Sequence, residues 1–187
     1  MVVWWLFFTL ALVGFVLEEF ILIKPVSTIG QSEPISRRLE LAALWVPAIG
    51  IGLTGFTGGL VHGVWAGGTL NALGVLLCGA GLGLRFWARL TLGRFFTIGV
   101  VRLEGHRVVQ TGPYHWIRHP GYLAFVLLYL GLPLIVGNWL GLLLLSLPAL
   151  VIFVWLVQIE DQRLAVALGG EYRAYRTRSA RWFPGVW

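Results

Sequence analysis

The sequence predicts an all-α integral membrane protein that crosses the bilayer five times, and three observations carry that reading. Hydrophobic residues make up 58% of the chain and charged residues 12%, about half the charged fraction of an ordinary soluble domain, with a mean hydropathy of +0.82. The apolar residues gather into long runs close to the ~20 residues that span the hydrocarbon of a bilayer. All 14 lysines and arginines fall on one side of the membrane when those runs are threaded through it five times.

The first run, residues 2–23, stays apolar until Glu18 and Glu19. It is longer than a signal-peptide core and has neither a basic leader nor a small-residue cleavage pattern, so it reads as a retained membrane helix. Residues 42–61, with Pro47 inside, make a second span and residues 69–88 a third. Gly55–Gly59 and Gly79–Gly83 have the spacing that lets helix backbones approach closely in lipid, which predicts contact between these two spans. Residues 122–136 and 139–158 are separated by Gly137-Asn138, a turn signal that predicts a tight helical hairpin. The first arm covers only about 22 Å at ~1.5 Å per residue, so the residues before it help complete the crossing. Pro133 and Pro148 are tolerable where neighbouring helices re-satisfy the freed backbone. There is no internal repeat or low-complexity linker, so residues 1–187 read as one membrane domain, with N-terminal spans over 1–68 and a chemistry-bearing half over 69–187.

Lys24, Arg37 and Arg38 follow the first span, six arginines lie between positions 85 and 118, and five lie between 163 and 181. The loops predicted on the other side, 62–68 and 137–138, carry none. The positive-inside rule then puts the N-terminus outside and the C-terminus in the cytoplasm, and the expected location is a prokaryotic inner membrane. The net charge of +6 sits in short stretches beside apolar spans, which makes anionic lipid headgroups the counterion and excludes nucleic acid as a partner. Cys78, the single cysteine, lies in an apolar run, so no internal disulfide and no paired-cysteine metal site can form.

Nearly every polar group able to do chemistry lies in residues 85–121 and 159–187, which the closing hairpin brings together. The segment Gly112-Pro113-Tyr114-His115-Trp116-Ile117-Arg118-His119-Pro120-Gly121-Tyr122 sets ionisable side chains between two apolar regions. Upstream come Arg85, Arg89, Leu92-Gly93-Arg94, Phe95-Phe96-Thr97, Val100-Val101-Arg102 and Gly105-His106-Arg107-Val108-Val109. Downstream come Glu160-Asp161, Gly170-Glu171-Tyr172 with Tyr175, and Trp182-Phe183-Pro184. Over roughly residues 85–187 this order resembles the isoprenylcysteine carboxyl methyltransferase family, integral membrane enzymes that use S-adenosylmethionine. The resemblance implies a cytoplasmic cofactor pocket built by the C-terminal half. Arg102, His106, Arg107, Val108 and Val109 match the stretch that lines the cofactor, and Tyr114 matches its tyrosine. His119, Pro120, Gly121 and Tyr122 match the cofactor motif, and Glu160 the cofactor-facing acid. Arg118 and Glu160 are the catalytic candidates, the histidines lack a spacing that would place two ligands on one helical face, so no metal ligand is expected, and the apolar groove expected between the last spans favours a hydrophobic or lipid-linked acceptor. Asp161, one residue on and about 100° round a helix, reads as structural or solvent-facing.

Elementary chemistry agrees with that expectation. A sulfonium cofactor offers a carboxylate, an ammonium and an adenine ring, which call for cationic or N–H donors, an anionic acceptor and flat apolar surface. Glu160 at the end of an apolar run is costly to keep there, which makes it a functional candidate. Taken singly, Arg107 and Arg118 read as snorkelling residues, His115, Trp116 and His62 as interfacial ones, and Tyr172 and Tyr175 as a face packed on headgroups; the combination points to a site. Two departures from the family bear on the acceptor. The arginine associated with the substrate carboxylate in prenylcysteine-specific members is Leu156 here, leaving Arg163, Arg173 or Arg176 as alternatives, and the acid pair is Glu-Asp where the family has Glu-Glu. An NADPH-dependent membrane reductase of the sterol type, drawing on Arg85, Arg89, Arg94 and Tyr114, is the competing enzyme, and a non-enzymatic membrane scaffold is the third reading.

Overall fold

The computed structural model of the protein describes Thr9, Val13 and residues 68–96 and 107–182. Apart from Thr9 and Val13, the first two predicted spans lie outside the described residues, as do the Gly55–Gly59 pair, His62, Arg102, His106, Phe183 and Pro184. Within them the chain is helical, and extended pairing is confined to one parallel bridge between Ile117 and Ala180.

Helix α1 runs Gly68–Leu92 and gives way to a 3-10 turn, Gly93–Phe95. A second 3-10 turn, Gly112–His115, leads into α2, Pro120–Val136. The long helix α3, Trp139–Ala167, includes a π-helical stretch at Leu142–Ser146, and α4 is Gly169–Arg176. Helices α1 and α3 are long and apolar enough to cross a membrane, and α2 is a shorter apolar helix. The last apolar helix continues to Ala167, nine residues beyond the predicted 158, because Glu160-Asp161-Gln162-Arg163 contains no breaker and is followed by apolar residues. Leu76, Leu90, Val151 and Trp155 face outward, as they can where the surrounding medium is lipid.

Helices α1 and α2 lie antiparallel with backbones touching. A Cβ on Gly74 would come within 2.6 Å of Ile135 N, one on Gly81 within 2.8 Å of Ala124 O, and one on Gly131 within 2.6 Å of Cys78 Sγ. Gly79 and Gly83, expected to meet the second span, have no described residue within 4 Å of an added Cβ; their predicted partners Gly55 and Gly59 lie outside the described residues, and the glycines that face α2 are others. Asn71 Nδ2 caps the end of α2 by donating to Ile135 O at 2.8 Å and Leu134 O at 3.3 Å. The hairpin turns as the sequence predicts. Gly137 takes a left-handed φ of 70°, Asn138 N donates back to Pro133 O at 2.9 Å, and the Asn138 side chain accepts from Gly141 N at 3.0 Å, closing one helix and starting the next.

Both prolines leave a mark. Pro133 has no N–H to give Tyr129 O, four residues back, and Ser146 Oγ supplies the missing donor at 2.6 Å. Pro148 denies the same bond to Leu144 and crowds its carbonyl, and the helix widens into the π stretch just there. Inside the hairpin Leu128, Tyr129, Leu132, Leu145, Phe153 and Val157 form the main core with Cys78 of α1 and Trp182 of the C-terminal strap.

Candidate functional site

At the end of the bundle where α1 stops, α2 starts and α3 stops, residues 111–119 fold into a compact turn. Gly112 sits at φ +57° with Thr91 Oγ1 2.6 Å from where a Cβ would be, so both conformation and space call for glycine. Pro113, fixed in φ, opens the 3-10 turn. The strap after α4 then runs alongside: Ala180 N donates to Trp116 O at 2.9 Å, and Arg118 N donates to Ala180 O at 2.8 Å. Tyr175 Oη donates to Tyr114 O at 2.6 Å, and Val108 N donates to Glu171 Oε1 at 3.3 Å. The strap and α4 thus fasten the whole turn.

Asp161 is the hub of this arrangement and is 1% exposed. Its Oδ1 accepts from Tyr172 Oη at 2.6 Å, pairs with His119 Nε2 at 2.8 Å and lies 3.4 Å from Arg118 Nε. Its Oδ2 faces Arg181 Nε at 3.5 Å and Arg176 Nε at 3.8 Å. A carboxylate only accepts, so His119 carries its proton on Nε2, and Nδ1 can accept when the ring is neutral. Arg118 directs Nη1 to the carbonyls of Ser179 and of Arg176, the latter at 2.9 Å, and so joins the last helix, the strap and the turn.

The structure brings several of the expected site residues together. Tyr114, Arg118, His119 and Pro120 are buried, Gly121, Tyr122 and Glu160 are half-buried at the same end, as are Val108 and Val109, and Arg107 is exposed. The His119 and Tyr122 rings lie 6.0 Å apart. Burial pushes the Tyr114 phenol well above the usual tyrosine range, with the nearby Glu160 charge adding to the shift and Arg85 opposing it. Burial likewise raises Tyr172, reinforced by its bond to Asp161. Arg102 and His106 lie outside the described residues.

The solvent-facing reading of Asp161 is corrected. The 100° step between the two acids is real, but Asp161 is the one turned into the protein, because four basic side chains and a phenol converge on it. A second omission is the pair Arg85 and Arg89, which open the motif order but were given a role only in the reductase alternative. Both are buried on α1, and their guanidiniums flank the Phe96 ring at 5.7 and 4.7 Å. Their i, i+4 spacing at the end of an apolar run was the available signal. Leu156 packs in the main core.

A profile for the phospholipid methyltransferase family matches residues 69–170, more than half of the chain and all three long helices. The chain belongs to the phospholipid methyltransferase family. Its relatives include the protein-S-isoprenylcysteine O-methyltransferase of Schizosaccharomyces pombe, 31% identical over 116 residues that make up 61% of this chain and 48% of the relative. The enzyme of the same name from Saccharomyces cerevisiae is 31% identical over 118 residues, 62% of this chain and 49% of the relative. The uncharacterized protein YpbQ of Bacillus subtilis is 30% identical over 81 residues, 43% of this chain and 48% of its own length. The chain spans about half the length of these relatives. Its fold matches the structure of the eukaryotic intramembrane Ras methyltransferase isoprenylcysteine carboxyl methyltransferase with a TM-score of 0.63 at 23% identity, over 84% of this chain and 55% of that one.

Proposed function

We propose that this member of the family is a membrane methyltransferase that takes its methyl group from S-adenosylmethionine and delivers it to a hydrophobic or lipid-linked acceptor, with an isoprenylcysteine-like carboxylate as the leading example. The observation that carries the reading is the clasp around Asp161, which fixes Tyr114 and His119 beside Glu160 at one end of apolar, membrane-length helices. The two yeast relatives and the matching solved structure are methyltransferases by name, and the reductase alternative has no comparable support. In this proposal the site end lies at the cytoplasmic face with the N-terminus outside, a reading supported by the one-sided lysines and arginines, and the location is a prokaryotic inner membrane. Five crossings complete the topology.

The residues fit the cofactor in kind. Glu160 is the half-buried anion suited to an ammonium, the turn and the segment 107–110 offer backbone donors and the Arg107 cation for a carboxylate, and Tyr114 and Tyr122 offer flat surface. When bound, S-adenosylmethionine supplies an electrophilic methyl group whose displacement depends on in-line positioning and exclusion of water. Tyr114 stays neutral and holds its ring under the turn. His119 is oriented through Nε2 by Asp161. Arg118, placed among the catalytic residues by the sequence, acts here as a strut, since its guanidinium is turned to Asp161 and to the carbonyls of Ser179 and Arg176.

The test is a titration of the purified protein with S-adenosylhomocysteine and NADPH side by side, read by tryptophan quenching. The expected result is saturable binding of S-adenosylhomocysteine alone, with Glu160→Gln weakening it about tenfold to a hundredfold, or roughly 1.4–2.8 kcal/mol. Binding of NADPH in place of S-adenosylhomocysteine would sink the proposal.

A further inference from the structure

A buried cation and a buried, unpartnered hydroxyl lie next to the start of α2 and are not used by the cofactor reading. Arg85, 5% exposed, stands with its guanidinium carbon 3.9 Å from the Phe125 ring centroid. Its Nη1 is 3.7 Å from the position of a Cβ on Gly121, so the charge lies against the His119-Pro120-Gly121-Tyr122 segment. The Tyr129 hydroxyl, two turns deeper than Tyr122, is buried and has no hydrogen-bond partner among the described residues, and its residue is 2% exposed. Buried phenols almost always find a partner, and one without it asks for a ligand. Phe125, Tyr129 and Phe153 hold their rings within 9–16° of parallel, with centroids 5.4–6.0 Å apart, giving an apolar aromatic surface beside the cation.

We infer that Arg85 and the Tyr129 hydroxyl form the acceptor's anion subsite, which takes the carboxylate head of an amphiphile whose tail lies along the Phe125, Tyr129 and Phe153 rings. This rests on the methyltransferase reading above. The subsite offers a forked guanidinium and a single hydroxyl donor, a set that suits the two oxygens of one carboxylate. Because the cation lies against the cofactor motif, the anion it holds is itself the nucleophile. One carboxylate oxygen donates its electron pair to the methyl carbon as the carbon–sulfur bond breaks toward sulfur, so an ester and S-adenosylhomocysteine form and no proton changes hands. The product ester has no charge for Arg85 to hold, which favours its release. Leu156 supplies no cation from α3, and on this reading α1 supplies one from the facing side.

The test measures binding of N-acetyl-S-farnesylcysteine, its carboxamide, palmitate and phosphatidylethanolamine vesicles to the full chain, by tryptophan quenching without cofactor. S-adenosylhomocysteine binding is followed in parallel. The expected result is that the wild type prefers the farnesylated acid over its amide by at least tenfold. Arg85→Gln abolishes the preference, Arg85→Lys keeps most of it and Tyr129→Phe lowers it severalfold, all with S-adenosylhomocysteine affinity within about twofold. Palmitate binding with the same Arg85 dependence would support the carboxylate subsite and identify a fatty acid as its source. Equal binding of acid and amide by the wild type would overturn the inference, as would a preference that survives Arg85→Gln or a phosphatidylethanolamine site insensitive to Arg85. Should Arg85→Gln fail to fold, the wild-type comparison and Tyr129→Phe decide the matter. Loss of S-adenosylhomocysteine binding by the wild type would count against the methyltransferase reading, a separate result.

Discussion

Between α1 and α2 the helices are held by absence: Gly74, Gly81 and Gly131 leave no side chain in the way, and the backbones meet. At the end of the bundle the turn, α3, α4 and the strap are held by charge, with one buried carboxylate shared among His119, Arg118, Arg176, Arg181 and Tyr172. The first contact is dispersion spread over many atoms. The second is concentrated in one residue, because a buried ion pair broken on one side leaves the other charges without compensation. The contrast teaches that the bundle tolerates a small loss at several points, whereas the site depends on a single side chain.

The largest test of this contrast is Asp161→Ala. Removal of the hub should destabilise the protein by about 3–5 kcal/mol and uncouple the strap, seen as a lower thermal midpoint and faster proteolysis after Tyr175. Asp161→Asn should fall between the two, since it keeps the shape and loses the charge. Stability equal to wild type in both variants would show that the arginines find other partners. Next is Gly131→Ala, whose Cβ meets Cys78 Sγ at 2.6 Å and Gly74 O at 2.7 Å. Forcing the helices apart should cost about 1–3 kcal/mol, while the same change at Gly79, where no described residue lies within 4 Å, should leave stability unchanged or slightly higher. Ser146→Ala leaves Tyr129 O without its donor and should cost about 1 kcal/mol, measured by unfolding in mixed micelles. A smaller effect concerns alkaline pH. Burial raises the Tyr175 phenol to about 12 against the opposing pull of Ser179 and Arg118. A raised folded-state value means that the stabilisation is complete below about pH 10 and is lost as pH climbs toward 12. Tyr175→Phe should flatten that decline in thermal midpoint, and an unchanged slope would assign it to other groups.

The helices and the hairpin turn were legible in the sequence because each depends on local signals: apolar length, Gly137-Asn138, and proline placement. The meeting of Tyr114 and His119 at one end of the bundle was legible through motif order. Asp161 was not, since which of two adjacent acids faces inward depends on where α4 and the strap return, and that is set by contacts 42 to 61 residues apart in the chain. Arg85 was passed over for a related reason. An arginine near the end of an apolar run reads as interfacial until the neighbouring helix is seen to place Phe125 over it. The glycines of α1 that touch α2 were not singled out, because spacing gives a face without naming its partner.

The parallel pairing of Trp116–His119 with Ala180–Arg181 also has a consequence for synthesis. Ser179 follows Arg118 by 61 residues, so at the ~5–20 residues per second of translation the turn waits on the order of 3–12 s for its other half. During that interval Arg118 and His119 have emerged but neither α4 nor the strap exists to receive them. The spans can therefore be inserted well before the site is assembled. A ribosome that stalls or a nonsense codon that falls after α3 leaves a helical bundle in the bilayer with an open, unlatched turn, and quality control at the membrane has a distinct species to recognise.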